Sequence, residues 1–181
     1  MTRPVAVAIT GGIGAGKSEA LAAFARHGAA TLSADRVVHE LIAADPEVRA
    51  ALEARFGTTD RRAIGKVVFA DPAELAWLEQ LLHPRVRART DAWLAEVEAP
   101  LAAVEIPLLF ETRGEDRFDR VVVVTAPAEV RRARSSAAGG NREARLMPDA
   151  EKVARADYVF ENSGSVDELE EFVRRVVADL T

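Results

Sequence analysis

The sequence predicts an α/β fold in which helices cover both faces of a parallel sheet. Short continuous apolar runs, typical of buried strands, alternate along the chain with segments of helical periodicity. Glycine or proline follows several of these runs and marks the points where strands end. A largely helical block at about residues 45–99 interrupts the alternation. We interpret this block as a lobe inserted into a single domain whose core comprises about residues 1–44 and 100–181.

Five segments have the length and composition of buried strands. The first stops at Gly11, and the third and fourth each stop at a proline. The expected strands are Val5–Thr10, Ala30–Leu32, Ala102–Ile106, Val121–Thr125 and Tyr158–Glu161.

Helical periodicity fills most of the chain between these strands. The expected helical segments are Lys17–His27, the stretch around Val37–Ile42, Pro46–Phe56, residues 61–98, Ala128–Ala138 and Val166–Leu180. Within residues 61–98, breaks are expected at Asp71-Pro72 and His83-Pro84, because proline lacks the amide proton of the helical ladder. Asp71 is the expected N-cap of the helix that Pro72 begins. Gly139–Arg142 is expected to be a mobile loop.

Composition excludes several classes of protein. The chain has 181 residues, of which 49% are hydrophobic, so it can bury a core and disorder is not expected. Its net charge of −5 argues against a general nucleic-acid binder. It contains no cysteine, so disulfides and thiolate metal sites are excluded. The apolar run near the N-terminus is too short for a secretory signal, and no run has the length of a membrane span, so a cytoplasmic location is expected.

The segment Gly11-Gly-Ile-Gly-Ala-Gly-Lys-Ser18 carries the main functional signal. It matches the phosphate-binding motif G-x-x-x-x-G-K-[ST] and lies between a predicted strand and a predicted helix. Glycines let consecutive amides face phosphate oxygens, and the start of the helix attracts the same anion. Lys17 is expected to reach the β- and γ-phosphates and Ser18 to bind Mg²⁺. The residues expected to contact the triphosphate are Gly12, Ile13, Gly14, Ala15, Gly16, Lys17, Ser18 and Glu19.

The motif alone does not define the reaction. A glycine turn between strand and helix is the purely structural alternative, and GTPases, ATPases and kinases all use this loop. Asp35 follows the second predicted strand, at the edge of a parallel sheet where ligands bind. Aspartate there could be a proton acceptor or simply the N-cap of a helix that begins near Arg36.

Several further segments resemble the dephospho-CoA kinase family. They occur in the family's order and cover nearly the whole chain. Besides the phosphate loop they are Ala34-Asp35, Arg62-Ala-Ile-Gly-Lys-Val-Val-Phe69, Leu78-Glu-Gln-Leu-Leu-His-Pro84, Ile106-Pro-Leu-Leu-Phe-Glu111 and Ala156-Asp157 with Glu161-Asn-Ser-Gly164. Many families share the phosphate loop, whereas His83-Pro84 and Pro107–Glu111 are much less widely shared.

This resemblance implies a P-loop kinase of three layers, with a five-stranded parallel sheet, a helical substrate lobe and a lid. It implies ATP, Mg²⁺ and dephospho-CoA as ligands, with transfer of a phosphoryl group to the ribose 3′-hydroxyl, the last step of coenzyme A synthesis. Asp35 matches the family's catalytic aspartate and Lys17 its phosphate-loop lysine. The resemblance implies no nucleic-acid or membrane partner, and the oligomeric state is not predicted.

The acceptor is expected to contact a small set of side chains. Arginine suits phosphate because its guanidinium matches phosphate geometry, although each arginine could equally be a solvated surface charge. His83 could contact the acceptor or make only a structural hydrogen bond, and Trp77 and Trp93 are expected to pack rather than to stack on a base. The candidate residues are Arg61, Arg62, His83, Arg87 and Leu108.

Two residues near predicted strand ends keep two interpretations each. Glu105 could orient a water bound to Mg²⁺ or only cap its strand. Asn162 could hydrogen-bond the adenine of ATP, but an Asn-Ser-Gly sequence also forms turns.

The chain departs from the family pattern at two places. Ser33 replaces a usual acidic residue, and the expected lid at about residues 132–150 is several residues shorter than the family's. Arg131, Arg132 and Arg134 remain as candidates for contacts with ATP, and Arg132 is assigned to this role. A shortened lid should exclude water less well. The competing interpretations are another small-molecule kinase of this fold, of nucleoside monophosphate or shikimate type, and a non-catalytic regulator that binds ATP.

Overall fold

The computed structural model describes residues 3–134 and 146–181. The strands in these ranges are β1 (Val5–Gly11), β2 (Ala30–Ser33), β3 (Leu101–Glu105), β4 (Arg120–Thr125) and β5 (Tyr158–Glu161). The helices in the same ranges are α1 (Lys17–Arg26), α2 (Ala34–Ala44), α3 (Pro46–Phe56), α4 (Arg61–Ala70), α5 (Pro72–Glu96), α6 (Ala128–Arg134), α7 (Asp149–Val153) and α8 (Val166–Leu180), together with a 3₁₀ turn at Glu115–Arg117. The chain forms two compact units. The sheet unit holds the described residues up to Ser33 and from Leu94 onward, and the helical unit holds Ala34–Trp93.

The five strands form one parallel sheet in the order β2-β3-β1-β4-β5. The central strand β1 pairs with β3 on one side and with β4 on the other. Its buried run of valine, alanine and isoleucine suits a strand covered on both faces. The predicted α/β class with a five-stranded parallel sheet is confirmed.

Successive residues of β1 serve opposite faces of the sheet. Val7 and Ile9 belong to a core cluster that includes Phe24 of α1 and Val173 of α8. Ala8 belongs to a second cluster, with Leu109 and Phe110 from the segment after β3. This alternation follows from the two-residue period of a strand and produces three layers, with the sheet in the middle.

The carboxyl ends of the strands bring together segments that are distant in sequence. Ile9 of β1 lies beside Glu105 of β3, and Thr125 of β4 lies beside Glu161 of β5. In a parallel sheet these ends share one edge, and ligands bind outside that edge. The phosphate loop after β1 and Asn162 after β5 therefore belong to the same edge.

The helical unit has its own apolar core. Its apolar faces follow the helical repeat, and the edge of the Trp77 ring packs against Phe56, with 5.4 Å between ring centroids. The helix break at Asp71-Pro72 is confirmed, with the Asp71 carboxylate accepting a hydrogen bond from the Ala73 amide at 2.8 Å. The buried apolar residues are Ala34, Val37, Leu41, Ile42, Val48, Leu52, Ile64, Val68 and Leu82.

The predicted break at His83-Pro84 is wrong. Helix α5 continues through Pro84 and spans 25 residues. Proline removes one backbone hydrogen bond, but the guanidinium of Arg85 donates to the carbonyl of Leu81 at 2.9 Å. This side-chain bond supplies a donor in the turn that the proline disturbs. No helix among the described ranges is long and apolar enough to cross a membrane.

Part of the predicted lid falls outside the described residues. Within the described residues helix α6 spans Ala128–Arg134, and the remainder of the helix that the sequence predicts, to Ala138, lies outside them. The loop Gly139–Arg142 and most of the expected lid at about residues 132–150 lie in the segment 135–145, which is outside the described ranges, and so does the side chain of Arg132. Helix α7 and the 3₁₀ turn were not predicted, because such short elements have no clear periodicity.

Candidate active site

The phosphate loop connects β1 directly to α1. Gly16 has a φ of 100°, a conformation that side chains disfavour, and it precedes the first residue of α1. Having no side chain, it leaves the first amides of the helix without a side-chain cap. The loop is held internally by a hydrogen bond from the Ala15 amide to the Gly12 carbonyl at 3.3 Å. These amides and the helix N-terminus form an anion-binding cradle.

Lys17 and Ser18 extend this cradle on two sides. The Lys17 ammonium donates to the carbonyl of Gly12 at 2.9 Å, so it lies on the loop. The Ser18 hydroxyl donates to the carboxylate of Glu105 at 3.0 Å. Glu105 is the last residue of β3 and is buried, with only 5% of its surface exposed. A hydroxyl and a carboxylate thus meet at the start of α1, and both are oxygen ligands of the kind that Mg²⁺ prefers.

Asn162, which follows β5 at the same edge of the sheet, fixes the phosphate loop. Its side-chain amide donates to the carbonyl of Ala15 at 2.9 Å, and it is 5% exposed. Its Oδ1 accepts from the amide of Gly164 at 3.0 Å and from the Arg134 guanidinium at 3.5 Å. The structure therefore gives Asn162 a contact within its own turn, which one of the two sequence interpretations expected, and a contact with the loop, which the sequence pattern did not reveal.

Replacing Gly16 by alanine is expected to weaken nucleotide binding about tenfold or more. A Cβ on Gly16 would lie 2.3 Å from the Asn162 side-chain nitrogen, so the Asn162 contact with the loop would break. Loss of that hydrogen bond leaves buried polar groups unpaired, which costs about 1–3 kcal/mol. Calorimetric titration with ATP measures the effect.

The matched control is Gly28→Ala. Gly28 has a similar φ of 89°, but a Cβ there would meet nothing within 4 Å. Gly28→Ala introduces the same kind of backbone strain, because alanine disfavours a positive φ, but its Cβ does not collide with a neighbouring side chain. It should lose some thermal stability and retain nucleotide affinity. Equal affinity loss in the two variants would contradict the assigned role of Asn162.

A buried ion pair anchors the chain that returns to the sheet after residue 145. The Lys152 ammonium lies 3.0 Å from the Glu111 carboxylate, and the Lys152 side chain is fully buried. The same carboxylate oxygen accepts a hydrogen bond from the Met147 amide at 2.9 Å. Sequence reasoning missed Lys152. The available signal was the scarcity of lysine, since Lys17, Lys66 and Lys152 are the only three in the chain.

The helical unit contains Asp35 and most of the predicted acceptor residues. Asp35 is the second residue of α2 and is exposed, so it lies inside the helix rather than at the N-cap position before it. Arg61 and Arg62 are the exposed first residues of α4. His83 and Arg87 lie one turn apart and line a shallow groove along α5. Leu108 is in the sheet unit, half-buried in the turn after β3, where its carbonyl accepts from the Thr112 hydroxyl at 2.8 Å.

The pKa of His83 is expected to lie below its usual value of 6.5. Burial is the largest cause, the Arg87 charge lowers the pKa further, and the Glu79 carboxylate opposes both. Because the folded pKa is lower than the unfolded one, protonation favours unfolding. The contribution of His83 to stability is therefore complete above about pH 6.5 and is lost as the pH falls below that value.

Proton NMR titration of the His83 ring tests this prediction. Arg87→Gln should raise the pKa of His83, and Glu79→Gln should lower it. A titration midpoint at or above 6.5 in the parent protein would show that burial does not dominate.

The fold and the phosphate loop together define the class of this protein. A parallel sheet whose central strand leads through a glycine-rich loop into a helix that begins with a lysine and a serine defines a P-loop nucleotide-binding protein. Comparisons with known proteins then identify the family. Residues 5–168 match the family model described as dephospho-CoA kinase, and the chain belongs to that family. It is a kinase that transfers a phosphoryl group to a hydroxyl and uses ATP as its substrate.

Individual relatives agree with this assignment. A dephospho-CoA kinase of Brucella melitensis is 38% identical over 191 residues, covering 98% of this chain and 96% of the relative. A Thermus thermophilus protein of known crystal structure is 38% identical in sequence to this chain. The two structures match with a TM-score of 0.80, and the match covers 99% of this chain and 100% of that one. The dephospho-CoA kinase of Campylobacter jejuni, 22% identical with a TM-score of 0.66 and 98% of each chain covered, shares the fold. The family predicted from the sequence motifs is confirmed.

Proposed function

We propose that this chain transfers the γ-phosphoryl group of ATP to the 3′-hydroxyl of the ribose of dephospho-CoA and so forms coenzyme A. The observation that carries the proposal is the intact phosphate loop, with Lys17 and Ser18 in place, in a chain that matches the family over residues 5–168. Both substrates are water-soluble phosphorylated molecules, which fits a cytoplasmic enzyme.

The loop binds the phosphates of ATP through its amides and through Lys17. The contributing residues are Gly12, Ile13, Gly14, Ala15, Gly16, Lys17, Ser18 and Glu19. Lys17 moves from the Gly12 carbonyl, 2.9 Å away, to the β- and γ-phosphates. Charge-assisted hydrogen bonds to the transferred group strengthen as negative charge develops on it, so the loop lowers the barrier to transfer.

The Ser18 hydroxyl and the Glu105 carboxylate are suited to hold Mg²⁺ together with the phosphates. Their atoms are 3.0 Å apart, and both are hard oxygen donors. Among the described residues no group of three or more metal-ligating side chains occurs, which suits an ion that takes most of its ligands from water and phosphate. The bound ion would neutralise charge on the β- and γ-phosphate oxygens.

Asp35 is the general base that accepts the proton of the acceptor hydroxyl. It follows Ser33, the end of β2, by two residues, and Ser33 lies beside Glu105 in the sheet. It is exposed, and among the described residues it has no hydrogen-bond or ion-pair partner that would occupy its carboxylate. A base in this reaction needs such an available oxygen within reach of the hydroxyl.

Arginines of the helical unit bind the phosphates of the acceptor. Arg61 and Arg62 begin α4, and Arg87 follows His83 by one turn on α5. Guanidinium groups match phosphate oxygens in geometry and charge. His83, whose pKa is lowered, is neutral near pH 7 and can hydrogen-bond without adding charge. Leu108 supplies an apolar contact to the acceptor. Arg132 binds ATP, and the Asn162 side chain adds a contact with the adenine base of ATP.

Incubation with dephospho-CoA, ATP and Mg²⁺, followed by mass spectrometry, tests the proposal. The expected products are ADP and a molecule heavier than the acceptor by one phosphoryl group, located at the 3′ position. Lys17→Ala is the matched negative control. Shikimate and nucleoside monophosphates serve as alternative acceptors, and phosphorylation of one of these in place of dephospho-CoA would overturn the assignment. ATP binding without transfer to any acceptor would indicate a regulator instead.

A further inference from the structure

Arg131 of α6 lies directly on the phosphate loop. A Cβ built on Gly12 would be 2.9 Å from the Arg131 Nη1 atom, and one on Gly14 would be 3.0 Å from the Arg131 carbonyl oxygen. The helix therefore touches the loop at two points, one through its backbone and one through the guanidinium. A side chain at Gly12 would occupy the space that the guanidinium uses, so this glycine permits the close approach of the arginine.

The carboxylate of Asp149 holds the guanidinium at this position. Its Oδ2 lies 3.4 Å from the Arg131 Nη1, and its Oδ1 would be 3.2 Å from a Cβ on Gly12. Both side chains are largely covered, with 23% and 28% of their surfaces exposed. Asp149 is the first residue of α7, and α7 is fixed to the sheet unit by Lys152 and Glu111. The position of the carboxylate is therefore set by a buried anchor.

Arg131 and Lys17 converge on the same residue of the loop. The Lys17 ammonium is 2.9 Å from the Gly12 carbonyl, while the Arg131 guanidinium approaches Gly12 closely from α6. Two cationic side chains therefore lie beside a loop built to receive a triphosphate. A guanidinium has five donors in a fork, so Arg131 can keep its contact with Asp149 and still donate to a phosphate oxygen.

We propose that Arg131 contacts the same terminal phosphates of ATP as Lys17, and that Asp149 is its positioning residue. The inference rests on the proposed function, since it assigns a further residue to the same site. It gives this chain a phosphate-binding arginine supplied from α6, within the described residues. The sequence pattern left Arg131, Arg132 and Arg134 as candidates for contact with ATP and assigned that role to Arg132.

A series of nucleotides separates this role from a purely structural one. We expect Arg131→Ala to weaken binding of a non-hydrolysable ATP analogue by about tenfold to a hundredfold, the usual effect of losing a charged hydrogen bond, and to change AMP binding by less than about twofold. Calorimetry without acceptor gives both affinities. Arg131→Lys keeps the charge without the fork and should lie between the parent and Arg131→Ala. Arg174→Ala, which removes an arginine paired with Glu171 on its own helix, is the matched control and should bind both nucleotides as the parent does.

Asp149→Asn tests the positioning role. It should weaken binding of the ATP analogue by about threefold to tenfold, and the double variant with Arg131→Ala should be no weaker than Arg131→Ala alone, because both act through one contact. Equal losses for AMP and the ATP analogue, an unchanged Arg131→Ala variant, or additive losses in the double variant would each overturn the proposal. Circular dichroism melting confirms that each variant is folded. A parent protein that binds the analogue but does not phosphorylate dephospho-CoA would refute the proposed function and leave this inference intact.

Discussion

Replacing Asp35 by asparagine is expected to lower kcat for phosphoryl transfer by about 10²–10⁴-fold, the usual contribution of a general base. Asparagine preserves the size of the side chain but cannot accept the proton of the acceptor hydroxyl. The affinity for ATP should change by less than about twofold, because the phosphate loop and Lys17 are untouched. Steady-state kinetics with dephospho-CoA, together with calorimetric titration of ATP, measures the two effects separately.

Asp45→Asn is the matched control for this prediction. Asp45 also lies in the helical unit, where its carboxylate caps α3 by accepting from the amides of Glu47 and Val48 at 3.0 Å. Asparagine is an equally good capping residue, so this variant should keep both stability and turnover. Turnover of Asp35→Asn equal to that of the parent would remove Asp35 from the mechanism. A parallel loss of ATP affinity would indicate a structural role instead.

Replacing Lys152 by methionine is expected to lower the free energy of unfolding by about 3–5 kcal/mol. The Lys152 side chain is fully buried, and its ammonium lies 3.0 Å from the Glu111 carboxylate. Methionine would leave that carboxylate largely buried, with the Met147 amide as its one remaining partner among the described residues. For a chain of this size, the loss corresponds to a fall in Tm of about 6–20 °C. Differential scanning calorimetry and urea denaturation provide the measurement.

One of the other two lysines in the chain, Lys66, provides the control for this prediction. Lys66→Met makes the same substitution at an exposed position of α4 and should change the free energy of unfolding by less than about 0.5 kcal/mol. The double variant Glu111→Leu with Lys152→Met removes both charges and should recover much of the loss, because no uncompensated charge remains. A Lys152→Met variant as stable as the parent would mean that the ion pair contributes nothing.

Features that depend on local order along the chain were predictable from the sequence. The phosphate loop is a contiguous motif between a strand and a helix, and β5 and α8 were predicted with the bounds that the structure shows. The continuation of α5 through Pro84 was not predictable, because local rules end a helix at proline, whereas here the helix continues and the Arg85 guanidinium donates to the Leu81 carbonyl in the turn around it.

Contacts between distant segments could not be obtained from any local pattern. Asn162 follows Ala15 by 147 positions, and only the parallel sheet brings its side chain to the loop. The hydrogen bond between Ser18 and Glu105 joins residues 87 positions apart, and Lys152 had no motif to mark it. Side-chain partners across a sheet edge depend on register and packing, which are properties of the folded chain.

The sequence by itself determined the class of site and the family, because phosphate binding requires a fixed spacing of glycines, lysine and serine within one short segment. Only the tertiary structure decided which other side chains serve that segment: Asn162 beneath the loop, Glu105 beside Ser18, and Arg131 with Asp149 at Gly12. The physical reason is that a backbone cradle is encoded locally, whereas the charges and amides that complete it come from strand ends and helices joined by the sheet.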